Sequence, residues 1–135
     1  MPEDVIEERV EERGEPAVRT LAMPADTNPS GDIFGGWVLA QMDLAAGIVA
    51  AQRSRGRVAT AALDGMSFHK PIYVGDLVSC YASVVRVGRT SMAVLVDTFV
   101  LRGRTGDEVR VTSGRFTLVA IDEQGRPRPV PPAAI

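Results

Sequence analysis

The chain of 135 residues has one cysteine, one histidine and a formal net charge of only -2. Each scarcity removes a class of function. A lone Cys80 cannot close an internal disulfide, which predicts a reducing, cytoplasmic setting. With His69 as the single histidine there is no Cys/His cluster for a zinc site, so no metal is expected. The small net charge supplies no electrostatic drive toward nucleic acid or an anionic membrane, and neither is expected as a partner. No apolar run is both long and charge-free enough to span a bilayer, and the acidic first residues lack the apolar stretch of a secretory signal. What is present is ordinary for a globular protein, 45% hydrophobic and 24% charged residues, in a length that suits one domain with a real core.

Residues 1–16 are rich in Glu and Arg with little to bury, which predicts a flexible acidic segment ahead of a folded domain over 17–122. Residues 123–135 contain Gly125 and Pro127, Pro129, Pro131 and Pro132, and read as an extended Pro-rich tail because proline cannot continue a sheet ladder. Val18–Ala22 is a short strand, followed by the turn-forming stretch Pro24–Gly31. From Gly36 to about Arg53 there is almost no charge, and apolar residues fall on nearly all helical faces. That pattern predicts a buried helix, with Gln41 and Asp43 as its polar exceptions. Four strand segments come next: Val58–Met66, Leu77–Val87, Ser91–Arg102 and Glu108–Ala120, separated by turns that fit antiparallel hairpins. The expected class is α+β, an antiparallel sheet curled around a central helix, with the convex face and an edge strand open to a second copy.

The most informative stretch is Asn28–Trp37, Asn-Pro-Ser-Gly-Asp-Ile-Phe-Gly-Gly-Trp. It brings one carboxylate, Asp32, just ahead of a Gly35-Gly36 pair where the apolar helix begins. The first N–H groups of a helix have no partners inside it and can bind a negatively charged oxygen. A carboxylate beside an oxyanion site is equipment for hydrolysing an activated acyl group.

Leu21-Ala22-Met23-Pro24-Ala25-Asp26-Thr27-Asn28, Gly31-Asp32-Ile33-Phe34-Gly35-Gly36-Trp37 and Gln41-Met42-Asp43 resemble the YciA-type acyl-CoA thioester hydrolases of the hotdog fold. Further matches are Gly65-Met66-Ser67-Phe68 with Pro71, Val74-Gly75-Asp76 and Gly88-Arg89-Thr90-Ser91, and the likeness runs from Arg19 to Pro129. Gly-Asp-Ile-Phe-Gly-Gly is its specific core; the hairpin motifs are shared by many hotdog proteins. The resemblance implies a dimer with one continuous sheet, a trimer of such dimers (a hexamer), and active sites at the dimer interface. It implies hydrolysis of acyl-CoA to a free acid and CoA within fatty acid metabolism, with no metal or organic cofactor. One departure is His69-Lys70-Pro71, where relatives commonly have an apolar residue and Arg before the Pro; it keeps positive charge near the ligand entrance.

On that resemblance the catalytic set is Asp32, Gly36, Asp43 and Thr60. The groups for CoA and the acyl chain are Asn28, Phe34, Gly35, Phe68, His69, Lys70, Arg86, Arg89, Thr90 and Ser91. Most have a plainer alternative. Asp32 can simply close a turn, and Asn28 before a Pro reads first as a turn opener. Gly35 and Gly36 can be turn glycines, although their place favours Gly36 as oxyanion donor. Asp43 needs a partner if buried, as assistant or structural anchor, and Thr60 can be a strand residue. His69 reads as a solvated loop residue or CoA contact. Arg86, Arg89, Thr90 and Ser91 are either a solvated hairpin turn or a cradle for CoA phosphates, which guanidinium forks suit. Asp32 fits general base and nucleophile equally. The rival functions are an acyl-CoA-binding hotdog module without catalysis, and a hydratase or dehydratase using His69.

Overall fold

The computed structural model describes residues 13–103 and 105–133, so the flexible segment expected over 1–16 falls, up to residue 12, outside the described residues. Strand β1 is Val18–Leu21, helix α1 is Gly35–Ser54, and strands β2 to β5 are Val58–Phe68, Leu77–Val87, Ser91–Arg102 and Asp107–Ala120. They form a 5-stranded antiparallel sheet in the order β1-β3-β4-β5-β2, with a short 3-10 turn at Pro24–Asp26 before the helix. The elements lie where the sequence predicts them. The main difference is β2, which continues past Met66 to Phe68. It does so through register shifts between Thr60 and Ala62 and between Asp64 and Ser67. Gly65 sits in the second shift at φ 62, a left-handed conformation that glycine adopts without steric cost.

The sheet packs its concave face on α1. Val38, Met42, Ala45, Ala46 and Ala50 of the helix meet Val78, Val94, Val96, Phe116 and Leu118 of the strands, all buried. Alanines on this face let the helix axis approach the sheet, and each buried large side chain is worth about 1.5–3 kcal/mol. The predicted burial of the helix on all sides is not what the single chain shows. Leu44 and Ile48 are 56% and 41% exposed, and Asp43 is exposed too, because one five-stranded sheet can cover only one side of a helix.

Ala17 N–H donates to the Cys80 carbonyl at 2.9 Å, extending the β1–β3 ladder, and at one corner of the convex face Arg13 lies 4.1 Å over the Phe99 ring and 4.8 Å over the Tyr81 ring. Beneath them Arg110 pairs with Asp97 at 2.7 Å. Burial holds the Asp97 carboxyl above its ordinary range, against the opposing pull of Arg110 and Arg13. The tail is extended in part but docked. Asp122 Oδ1 accepts the N–H groups of Gln124 and Arg126 at 2.9 Å each, closing a turn, and Ile121 bridges to Pro127.

Cys80 is buried in the helix–sheet core, as its alternation with apolar strand residues predicts. Burial pushes its thiol up to about 11, with a partly offsetting contact to Thr98 Oγ1 at 3.5 Å. At pH 8 about one molecule in a thousand then carries the thiolate, the reactive form. Cys80 in the folded protein is therefore expected to resist a disulfide reagent at pH 8 and to react stoichiometrically once denaturant is added; rapid native labelling would contradict this burial.

Candidate active site

The loop before α1 is closed by Asn28. Its Oδ1 accepts the N–H groups of Ser30 at 2.9 Å and Asp32 at 3.1 Å, while its own N–H donates to the Asp32 carbonyl at 2.7 Å. Thr27 and Ile33 bridge across the base of the loop. This is the turn-forming use of asparagine, with its side-chain oxygen engaged inside the loop. Asp32 is delivered half-buried, and its carboxylate has no hydrogen-bond or ion-pair partner among the described residues. The loop therefore holds the Asp32 backbone while leaving its acid free.

Three residues further on, the helix starts without a cap. Phe34 occupies the N-cap position with extended backbone (φ -60, ψ 129) and no side-chain oxygen to offer. Its carbonyl accepts the N–H groups of Trp37 at 3.0 Å and Val38 at 3.3 Å. The N–H groups of Gly35 and Gly36 precede the first acceptor the helix can supply, and the positive end of the helix dipole lies there.

Two grooves border this glycine pair, one at each residue, and Asp32 lines neither. One, of about 230 Å³, borders Gly35 and carries Phe68, His69 and Lys70 on its wall. The other, of about 320 Å³, borders Gly36 and is walled by Leu39, Ala40, Leu63 and Phe116. Its polar spot is Asp43 with Thr60, whose hydroxyl donates to Asp43 Oδ1 at 2.6 Å. The helix carboxylate that the sequence leaves in need of a partner thus has one, and it is exposed rather than buried.

Other predicted residues are not gathered here. Arg86 and Ser91 line a third hollow, of about 240 Å³, on the opposite face of the sheet, with Asp64 and Arg115. Arg89 and Thr90 form the β3–β4 turn, where their carbonyls accept the N–H groups of Val130 and Ala120 at 2.9 Å each. Arg115 has no motif to mark it. Its place beside Arg86 follows from strand register, which sets it opposite Asp64 on one side and Leu95 on the other. The groove walls Leu63 and Phe116 are likewise invisible until β2 and β5 pair. No hydrogen bond joins His69 to Asp32, so one chain does not hold an Asp-His pair. Among the described residues, no three His, Cys, Asp or Glu side chains converge as metal ligands would.

A model of the thioesterase superfamily matches residues 30–107. The acyl-CoA thioester hydrolase YciA of Salmonella typhimurium is 45% identical over 122 residues, covering 88% of this chain and 92% of that protein. A hexameric thioesterase of Yersinia pestis superposes with a TM-score of 0.85 at 47% identity, over 89% of this chain and 98% of that one. A hexameric hotdog fold thioesterase of Campylobacter jejuni does so with a TM-score of 0.85 at 42% identity, over 89% of this chain and 92% of that one.

The uncapped helix start has a measurable consequence. Phe34→Asp supplies a side-chain acceptor for the N–H of Gly36, and loses little packing because Phe34 is 56% exposed. Stability is expected to rise by about 1 kcal/mol, a gain of several degrees in Tm. A lower Tm would mean that this amide already has a partner.

Proposed function

This chain belongs to the thioesterase superfamily, among its hotdog-fold acyl-CoA thioester hydrolases, and on that premise we propose that it hydrolyses acyl-CoA to a free carboxylic acid and CoA. The observation that carries the reading is the unpartnered Asp32 carboxylate just ahead of the uncapped Gly35 and Gly36 amides, each of which borders a groove.

The chemistry divides into two demands. The thioester carbonyl becomes a tetrahedral oxyanion, and the Gly36 N–H donates to it from a position that needs no rearrangement during the reaction. The attacking oxygen comes either from water deprotonated by Asp32, or from Asp32 itself, giving a mixed anhydride that water then opens. Both routes break the C–S bond, release CoA as thiolate that takes up a proton, and consume one water. Asp43, accepting the Thr60 hydroxyl, assists by holding the water within the apolar groove. Carboxylate, amide and water suffice, so no metal or organic cofactor takes part in this reading.

The acyl chain enters along the apolar walls beside Gly36, and the positive Lys70 together with His69 flanks the entrance beside Gly35. Arg86, Arg89 and Ser91 receive the phosphates of CoA. Arg86 and Ser91 lie on the sheet face opposite the grooves, so a CoA that reaches both regions contacts two copies of the chain. Two features support self-association: the exposed Leu44 and Ile48 on α1, and β2 as an edge strand. We infer a dimer formed along that side and, by likeness to the hexameric relatives, a trimer of dimers. The proposed setting is the cytoplasm.

The decisive assay is free-thiol release from a panel of acyl-CoAs. Asp32→Asn is expected to fold and bind CoA while kcat falls by about 10²-fold or more. Undiminished turnover by that variant would overturn the role of Asp32, and no release from any thioester by the wild type would favour the non-catalytic binding module. Phe34→Asp, which occupies the helix-start amides, is expected to lower kcat by about 10²-fold, well beyond Phe34→Ala. Equal effects of the two substitutions would remove Gly36 from the oxyanion site.

A further inference from the structure

The C-terminal tail is held by polar contacts beyond the packing of Val130 on the core. Arg128 Nε donates to the Ile121 carbonyl at 2.9 Å, and Nη1 to the Ser54 carbonyl at 3.0 Å. Nη2 donates to Ser54 Oγ at 3.2 Å and to the Arg57 carbonyl at 3.3 Å. One guanidinium thereby ties the last residue of α1, the approach to β2 and the end of β5. A cation is favoured at this place, because the final carbonyls of a helix have no partners within it and carry the negative end of its dipole. The planar fork also matches several fixed acceptors at once, which an ammonium group does not.

The local sequence makes room for this side chain. Arg55, the residue that caps α1, is in the left-handed conformation (φ 58), where glycine is the usual choice. The glycine comes one residue later. A Cβ on Gly56 would lie 2.5 Å from Arg128 Nη2 and 3.1 Å from its Cζ. Gly56 therefore leaves room for Arg128, while its N–H closes the helix end on the Ala51 carbonyl at 3.2 Å.

Beyond Arg128 the tail reaches the β3–β4 turn. Val130 N–H donates to the Arg89 carbonyl at 2.9 Å, and Arg53 Nη1 holds the Pro131 carbonyl at 2.7 Å. Pro129 and Pro131 flank Val130, and their rings fix φ on both sides, so this stretch is stiff. The Arg89 main chain is thus held from outside its hairpin, while its exposed side chain has no carboxylate partner among the described residues.

We propose that Arg128 is a positioning residue: through the stiff segment Pro129–Pro131 it sets the Arg89 turn to receive the anionic phosphates of CoA. This rests on the acyl-CoA reading above. Fixing the main chain that carries a charged side chain removes part of the ordering cost at the moment of binding, so the gain falls on affinity for the nucleotide part of the substrate. Bond breaking at the thioester is left unaffected.

The test compares kcat and KM for an acyl-CoA with those for the matching acyl-pantetheine, which lacks the nucleotide. Arg89→Ala is expected to raise KM for acyl-CoA about tenfold, the loss of one charge-assisted contact. Arg128→Ala is expected to raise it about three- to fivefold, with kcat within about twofold and KM for acyl-pantetheine unmoved. Arg128→Lys is expected not to rescue. Gly56→Ala, which crowds the Arg128 seat, is expected to act in the same direction as Arg128→Ala. Val130→Pro deletes the donor to Arg89 while Arg128 stays in place, and Val130→Ala keeps that donor while trimming the same contact with the core; only the proline variant is expected to repeat the effect. If Arg128→Ala and Val130→Pro change both thioesters alike, or neither, the positioning role is overturned. If Arg89→Ala leaves KM unchanged, the phosphate reading of Arg89 fails instead. The strut then rests on amide exchange at Val130, which accelerates in Arg128→Ala if Arg128 anchors the tail and stays at the wild-type rate if it does not.

Discussion

The structure depends on a mismatch between one helix and one sheet. Helix α1 is apolar on nearly every face, yet five strands curl around only one side of it. The side facing the sheet holds the core together through Met42, Ala45, Ala46 and Ala50. The other side keeps Leu44 and Ile48 in water, along with Asp43 and Ala40. Exposed apolar surface of this kind, next to an edge strand, is stable only if something covers it. In the proposed assembly a second copy does so, and the groove beside Gly36 becomes a crevice between chains rather than a dent in one. Catalysis and self-association then share a single cause.

The two ends of the helix are treated in opposite ways. At the C-terminus the chain supplies its own partners: Arg128 satisfies the Ser54 carbonyl and hydroxyl, and neighbouring carbonyls are drawn into the same fork. At the N-terminus it supplies none. Phe34 stands where Ser, Thr, Asp or Asn would cap a helix, and the Gly35 and Gly36 amides stay unsatisfied. A missing cap is a small loss of stability, and it leaves two donors without partners a few residues after the free Asp32. An oxyanion site needs that condition, since an amide already bonded within the protein cannot stabilise charge in a transition state.

Much of this was legible from residue order. The strand and helix positions follow from turn residues, β-branched runs and a long charge-free segment, because these signals are local. Asp32 and the glycine pair were legible for the same reason, since loop, carboxylate and helix start are contiguous. The pairing of Asp43 with Thr60 was half legible: a lone acid on an apolar helix calls for a partner, but the partner lies on another element and only folding reveals it. The placement of Arg115 beside Arg86 was not legible at all, because register between distant strands has no mark in the sequence. The Pro-rich tail shows the limit most clearly. Its prolines predict an extended chain, but not that Arg128 would anchor it to the helix end.

By itself the sequence determined the α+β class, the single long helix, the family membership carried by Gly-Asp-Ile-Phe-Gly-Gly, and the candidate acid. Those properties depend on side-chain chemistry and short-range periodicity, which a linear chain carries in full. Tertiary structure decided which helix face lies against the sheet and which is left bare. It also decided that the predicted site residues fall on both faces of one sheet, and that the tail returns to hold the Arg89 turn. These outcomes arise from contacts between residues far apart in the chain, where burial and hydrogen-bond geometry choose among arrangements that local propensity leaves equivalent.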